Sequence, residues 1–223
     1  MAIQPPDSTN LDEKETGRIE AFSDGVFAIA ITLLVLEVKV PTPEAAEQAG
    51  GLLIALGRQA PIYVALVASF FFILVMWLNH HRLFRVIHRS SDVLLLLNGL
   101  LLFGISVVPF PTALIAEYLL KPEQNIAVMV YAGWFFLIAI FFNLLWAYAS
   151  RDNRSLSQKS DQRLARHISW QYAFGPVSYG VAVVIAYFSP LLSIAITVAL
   201  AVFYMLPSET FQQLLERKAN NRG

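Results

Sequence analysis

Long apolar runs alternate with short polar ones along this chain, and the apolar runs reach the length of bilayer spans. Six segments read as helices. The first covers about residues 17–40 and the second runs from Leu53 or Pro61 to Ile87. The third runs from Asp92 to about Leu120, with Pro109 and Pro111 as points of kinking or breakage. The fourth covers about 125–150, the fifth about 165–188, and the sixth runs from Leu191 past Pro207 towards Arg217. Pro41-Thr42-Pro43 and the small residues up to Gly51 read as a loop, residues 151–163 as a polar loop, and Ser189-Pro190 as a tight turn. Apolar blocks of this length predict an integral membrane protein. The expected fold class is all-α, with six transmembrane helices over residues 17–217. A mobile N-terminal tail, 1–16, and a short C-terminal tail, 218–223, are expected to flank them.

Charge sets the expected orientation. Of the 16 Lys and Arg residues, all but Lys39, Arg58 and Lys121 fall on one side of the predicted bundle. Positive charge accumulates on the cytoplasmic side, so both termini are expected in the cytoplasm of a cell membrane, plasma or inner. Most of these arginines need no role beyond anchoring that topology.

Composition narrows the classes. The chain is 57% hydrophobic and 14% charged, well below the charge of a soluble domain. Sixteen basic and 16 acidic residues cancel, so nothing suggests nucleic acid as a partner. There is no cysteine, which removes disulfides, thiolate nucleophiles and Cys-ligated metals. The polar, acidic stretch from Met1 to Thr16 lacks the apolar core of a cleavable signal. No nucleotide-binding or zinc motif occurs, and the loops leave no room for a catalytic domain. The expectation is a non-enzyme without cofactor or metal. His80 and His81 point about 100° apart on a helix and chelate poorly together, while His88 and His167 have no obvious companion ligands.

The first segment carries the candidate chemistry. Its uninterrupted apolar core, residues 25–36, spans about 18 Å as a helix, against a hydrocarbon thickness of about 30 Å. Phe22, Ser23 and Asp24 at one end and Glu37 at the other therefore lie near or inside the membrane. A carboxylate at the bilayer centre costs roughly 2.5–3.5 kcal/mol, so Asp24 should face protein or water. With Ile29 at zero on a helical wheel, Arg18, Phe22, Gly25, Thr32, Leu33 and Leu36 all fall within about 60° of it. Asp24 falls about 140° away. The stripe has two readings: ordinary helix packing, or the wall of a narrow hydrophobic constriction. Ser23 and Asp24 also have two. They can cap a helix, or they can lie inside one and lock it to its neighbours.

Partners for the second option exist. Trp77 and His80 share a helix face near the cytoplasmic end of the second segment, and Asn98 sits about two turns into the third. A buried polar cluster of Ser23, Asp24, Trp77, His80 and Asn98 is expected, with Asp24 needed for its stability.

Arg18-x-x-x-Phe22-Ser23-Asp24-Gly25 followed by Ile29 resembles the signature of the transmembrane protein 175 family of cation channels. Trp77-x-x-His80, Arg82-Leu83-Phe84 and Asp92-x-Leu94-x-Leu96-Leu97-Asn98 resemble its second and third helices, so the likeness covers roughly residues 18–111. It implies a potassium-permeable channel whose pore is lined by first helices. Branched apolar side chains form the constriction, Ile29 at the matching position, with Thr32, Leu33 and Leu36 along the same wall. A single six-helix repeat implies a homotetramer around one central pore, with monovalent cations, K+ above all, as the permeant species. No conventional Thr-Val-Gly-Tyr-Gly filter is present. Val177-Ser178-Tyr179-Gly180 lacks its first glycine in register and lies inside a continuous helix. Two other readings remain: a secondary transporter or other small-solute carrier, which would need discontinuous helices or repeats, and a membrane-embedded enzyme around Asp24 and His80.

Overall fold

A computed structural model describes residues 8–87, 90–151 and 159–205, and every regular element among them is helical. Helices satisfy their own backbone hydrogen bonds, which lipid demands of any single spanning segment. In order they are α1 (Ser8–Leu33), a 3-10 turn (Leu34–Glu37), α2 (Pro43–Ala49), α3 (Leu52–Arg58), α4 (Ala60–Phe84), α5 (Asp92–Ser106), α6 (Pro109–Tyr118), α7 (Gln124–Arg151), α8 (Lys159–Phe188) and α9 (Pro190–Met205). Among the described residues, five segments are long and apolar enough to cross a membrane: Thr16–Glu37, Ala60–Phe84, Asp92–Tyr118, Gln124–Arg151 and Gln171–Phe188. Pro190–Met205 is a shorter apolar helix.

Several boundaries differ from the sequence reading. α1 is already helical at Ser8, inside the stretch expected as a tail, where Leu11–Glu15 contains good helix formers. The expected loop before Gly51 is largely α2, started by Thr42, whose side chain accepts from Ala45 N at 3.2 Å, with proline in its first turn. Gly50 and Gly51, at φ 93° and 129°, turn the chain into α3. The second span therefore opens at Ala60 rather than Leu53. The third segment breaks at Val107-Val108, just before Pro109, and Thr112 N and Oγ1 both reach the carbonyl of Val108, at 3.2 and 2.8 Å. Val177–Gly180 is plain α-helix within α8. Residues 206–217, where the sixth segment was expected to continue, lie outside the described residues, as does His88; the His167 side chain is not described either.

α7 runs through the middle, packing on α5, α6, α8 and α9. Phe72, Tyr131, Phe135 and Tyr179 make a buried aromatic centre, with ring centroids 4.7–6.1 Å apart along the Phe72–Tyr131, Phe72–Phe135, Tyr131–Phe135 and Phe135–Tyr179 pairs. Such tilted and stacked contacts add to the burial of the rings themselves. α5 approaches α7 at Gly104, where a β-carbon would lie 3.0 Å from Ile138 Cγ1. Trp134 Nε1 donates to the Gly104 carbonyl at 2.8 Å.

Proline inside α8 has a specific remedy. Pro176 cannot donate to the carbonyl of Tyr172, four residues back. Asn143 on α7 donates to that carbonyl from Nδ2 at 2.6 Å. The last described turn of α9 is held similarly. Asn79 Nδ2 and Arg82 donate to the Tyr204 carbonyl, at 3.0 and 3.3 Å, and Arg82 also donates to Met205 O at 3.0 Å. Arg82, one of the arginines read as a topology anchor, thus also donates to carbonyls of the last described turn of α9.

Candidate functional site

α1 presents two unlike faces. Ile19, Ser23, Phe27, Ala30 and Leu34 are buried, at a spacing of three and four residues that makes one stripe. They face α4 and α5, the elements on which α1 packs. Arg18, Phe22, Gly25, Ile29, Thr32, Leu33 and Leu36, the stripe singled out from sequence, are all exposed. Ile29 is 61% exposed and Leu36 68%. No other described residue of the chain covers this face. Packing among the described residues therefore leaves the stripe bare.

A chain of hydrogen bonds holds the buried face. Ser23 lies inside α1, not at its cap, and its hydroxyl donates to Ile19 O at 2.8 Å. Asn98 on α5 donates from Nδ2 to Ser23 Oγ at 3.0 Å. Asn98 Oδ1 is 2.9 Å from His80 Nε2 on α4. An amide oxygen only accepts, so Nε2 carries a proton and donates it to Asn98. His80 Nδ1 is buried and has no hydrogen-bond partner among the described residues. The ring lies stacked on Phe84, 4.5 Å between centroids, with Phe27 edge-on at 5.4 Å.

Asp24 belongs to a second connection. Trp77 Nε1 donates to Asp24 Oδ1 at 2.8 Å, and this pair is only partly buried. The five residues expected as one cluster thus form two groups: Ser23, Asn98 and His80 within the core, and Asp24 with Trp77 at its edge. Sequence reading missed the extension of the second group. His81 Nδ1 donates to Glu20 Oε1 at 2.6 Å, and the His81 ring stacks on Trp77 with 6.0 Å between centroids. The partners are 61 residues apart in the chain, and no local pattern announces them.

Thr32 sits on the uncovered face, and its hydroxyl donates to Ile29 O at 2.8 Å. With its hydrogen committed, the oxygen is left to accept. At the other end of α1, an open groove of about 760 Å³ runs between α1 and α5, with Arg18, Phe22, Asp92 and Asn98 among its lining residues. Among the described residues, no group of three or more His, Asp or Glu side chains is placed to hold a metal.

Fold and site together define an all-α, multi-pass membrane protein whose first span is locked to the bundle on one face and bare on the other. The model of the endosomal/lysosomal potassium channel TMEM175 family matches residues 18–109. A potassium channel of Chamaesiphon minutus is 50% identical over 197 residues, which is 88% of this chain and 97% of that relative. A potassium channel of Streptomyces collinus is 42% identical over 191 residues, 85% and 91% of the two chains. The crystal structure of a lysosomal potassium-selective channel TMEM175 homolog from Chamaesiphon minutus superposes with a TM-score of 0.79 at 48% identity, covering 87% of this chain and 98% of that one. The chain belongs to the TMEM175 family.

Proposed function

We propose that this chain forms a potassium-permeable, non-enzymatic channel, four copies surrounding one pore lined by α1. In this reading α9 completes six spans, both termini are cytoplasmic, and the protein resides in the plasma or inner membrane. The uncovered stripe of α1 carries the proposal. One copy of Ile29, Leu33 and Leu36 cannot enclose a path, but a closed ring of copies can. The relatives that match over nearly their whole length are potassium channels.

In this arrangement the buried polar chain is what aims the pore. Ser23, Asn98 and His80 fix the rotation of α1 against α4 and α5, and Trp77 with Asp24 adds a second restraint. Rotation then places the opposite stripe on the axis. Ile29, Leu33 and Leu36 narrow the path with branched apolar groups, which gate by excluding water. They offer no oxygen to a dehydrating ion. Thr32 does, one turn along the same wall, so preference for potassium over sodium would come from partial dehydration beside a ring of Thr32 hydroxyl oxygens. Arg18, Phe22 and Gly25 continue the stripe towards the cytoplasm, beside the α1–α5 groove that an adjacent copy would cover.

The test is the reversal potential of the purified protein in a planar bilayer, with potassium on one side and sodium on the other. Unitary steps reversing near the potassium equilibrium potential are expected. Saturating flux without unitary steps would indicate a carrier instead.

A further inference from the structure

Between the first two spans the chain builds a small helical hairpin with divided chemistry. α2 carries Glu44 and Glu47, while α3, Leu-Leu-Ile-Ala-Leu-Gly-Arg, carries no acid at all. On α3 only Ala55 is buried; Leu52, Leu53, Ile54 and Leu56 are 56, 84, 50 and 36% exposed. α2 packs on α3, and α3 touches α4 lightly.

The hairpin's position decides what covers these side chains. It starts just after Glu37, the end of the first span, and finishes just before Ala60, the start of the second. Gln59 Nε2 donates to Lys39 O at 2.9 Å, tying those two ends together. The hairpin therefore stands at one membrane surface. α3, seven residues long, is only about 10 Å in length, too short to penetrate the bilayer. Leu52, Leu53 and Ile54 are consecutive, so their side chains spread over about 200° of the helix. A docked protein surface would use one stripe, whereas lipid surrounds a broad arc. Lys39 and Arg58 flank the hairpin, suited to headgroup phosphates while their stems stay apolar.

We propose that α3 is an interfacial anchor, lying in the headgroup–acyl boundary of the leaflet at this end of the bundle. Its apolar side chains reach about 5–10 Å into that boundary. α2 rides on the aqueous side with Glu44 and Glu47. The anchor follows the 3-10 end of α1 directly, and so ties that end to the lipid.

The absence of native cysteine makes the test clean. Leu53→Cys and Glu47→Cys are each labelled with a small fluorophore, in vesicles of phosphatidylcholine and phosphatidylglycerol. Lipids carrying a nitroxide near the headgroup or deep in the acyl chain, and aqueous iodide, serve as quenchers. At position 53, loss of emission to the shallow nitroxide and protection from iodide are expected; position 47 should behave in reverse. Leu56→Cys repeats the measurement if Leu53→Cys does not assemble. Iodide quenching at 53 equal to that at 47 would place α3 in water and overturn the proposal. So would stronger quenching by the deep nitroxide. Protection from every quencher, with oxidative pairing of Cys-substituted copies, would show a second copy as the occupant and overturn it too.

Discussion

His80 donates from Nε2 to Asn98 Oδ1 across 2.9 Å, and this bond orders the hydrogens through Ser23 to the carbonyl of Ile19. Three helices meet in that chain, all of its side chains buried. Asn98→Ala leaves both the imidazole N–H and a lone pair of Ser23 without partners. Each buried unsatisfied group costs roughly 1–3 kcal/mol. Ser23→Ala strands only one amide N–H of Asn98 and should cost less. Thermal unfolding in detergent, followed by loss of the assembled peak on size exclusion, should rank wild type above Ser23→Ala and Ser23→Ala above Asn98→Ala. Equal midpoints for all three would show that the chain contributes nothing to holding α1.

Trp77→Phe keeps an aromatic ring against His81 but removes the donor to Asp24. The pair is partly open to solvent, so the loss should be at the low end for a bond to a charged group, about 1–2 kcal/mol. Asp24→Ala should destabilise by a similar amount. In a double-mutant cycle the two losses should overlap rather than add. Full additivity would mean that Trp77 and Asp24 do not act through one another.

Asn143 and Pro176 make a linked prediction across α7 and α8. Asn143→Ala frees the Tyr172 carbonyl that Pro176 cannot serve, with an expected cost of about 1–2 kcal/mol. Adding Pro176→Ala restores an N–H four residues on and should recover part of that loss. If the double variant is no more stable than Asn143→Ala alone, the amide is not substituting for the missing backbone bond.

In the proposed channel, Ile29→Ala should raise or deregulate current by widening the constriction, with little change in the stability of the chain's own fold, because the side chain is largely uncovered. Thr32→Val keeps the shape of the side chain and removes the oxygen. Its expected effect is a reversal potential moved away from the potassium equilibrium potential, with current retained. Unchanged conductance in the first variant and unchanged reversal in the second would remove α1 from the pore wall.

Some of this was readable along the chain. Apolar runs of spanning length, the break before Pro109 and the stripe from Arg18 to Leu36 depend on local hydropathy, ring sterics and the 3.6-residue period. These need no knowledge of distant residues. The α2–α3 hairpin was harder, since Thr42, Gly50 and Gly51 look like loop residues until the elements on either side are seen to be helical. Sequence also put Ser23, Asp24, Trp77, His80 and Asn98 at one depth.

Tertiary structure alone decided who bonds to whom. Depth is counted in residues, but pairing depends on the rotation and tilt of packed helices, set jointly by every contact along them. Hence Asn98 took Ser23 and His80, leaving Asp24 to Trp77; His81 reached Glu20; Asn143 found the carbonyl orphaned by Pro176; and Arg82, by sequence only a charge at a membrane edge, reached the carbonyls of Tyr204 and Met205 on α9. Periodicity could place a stripe on α1. Only the packing of α4 and α5 against its opposite face left that stripe bare.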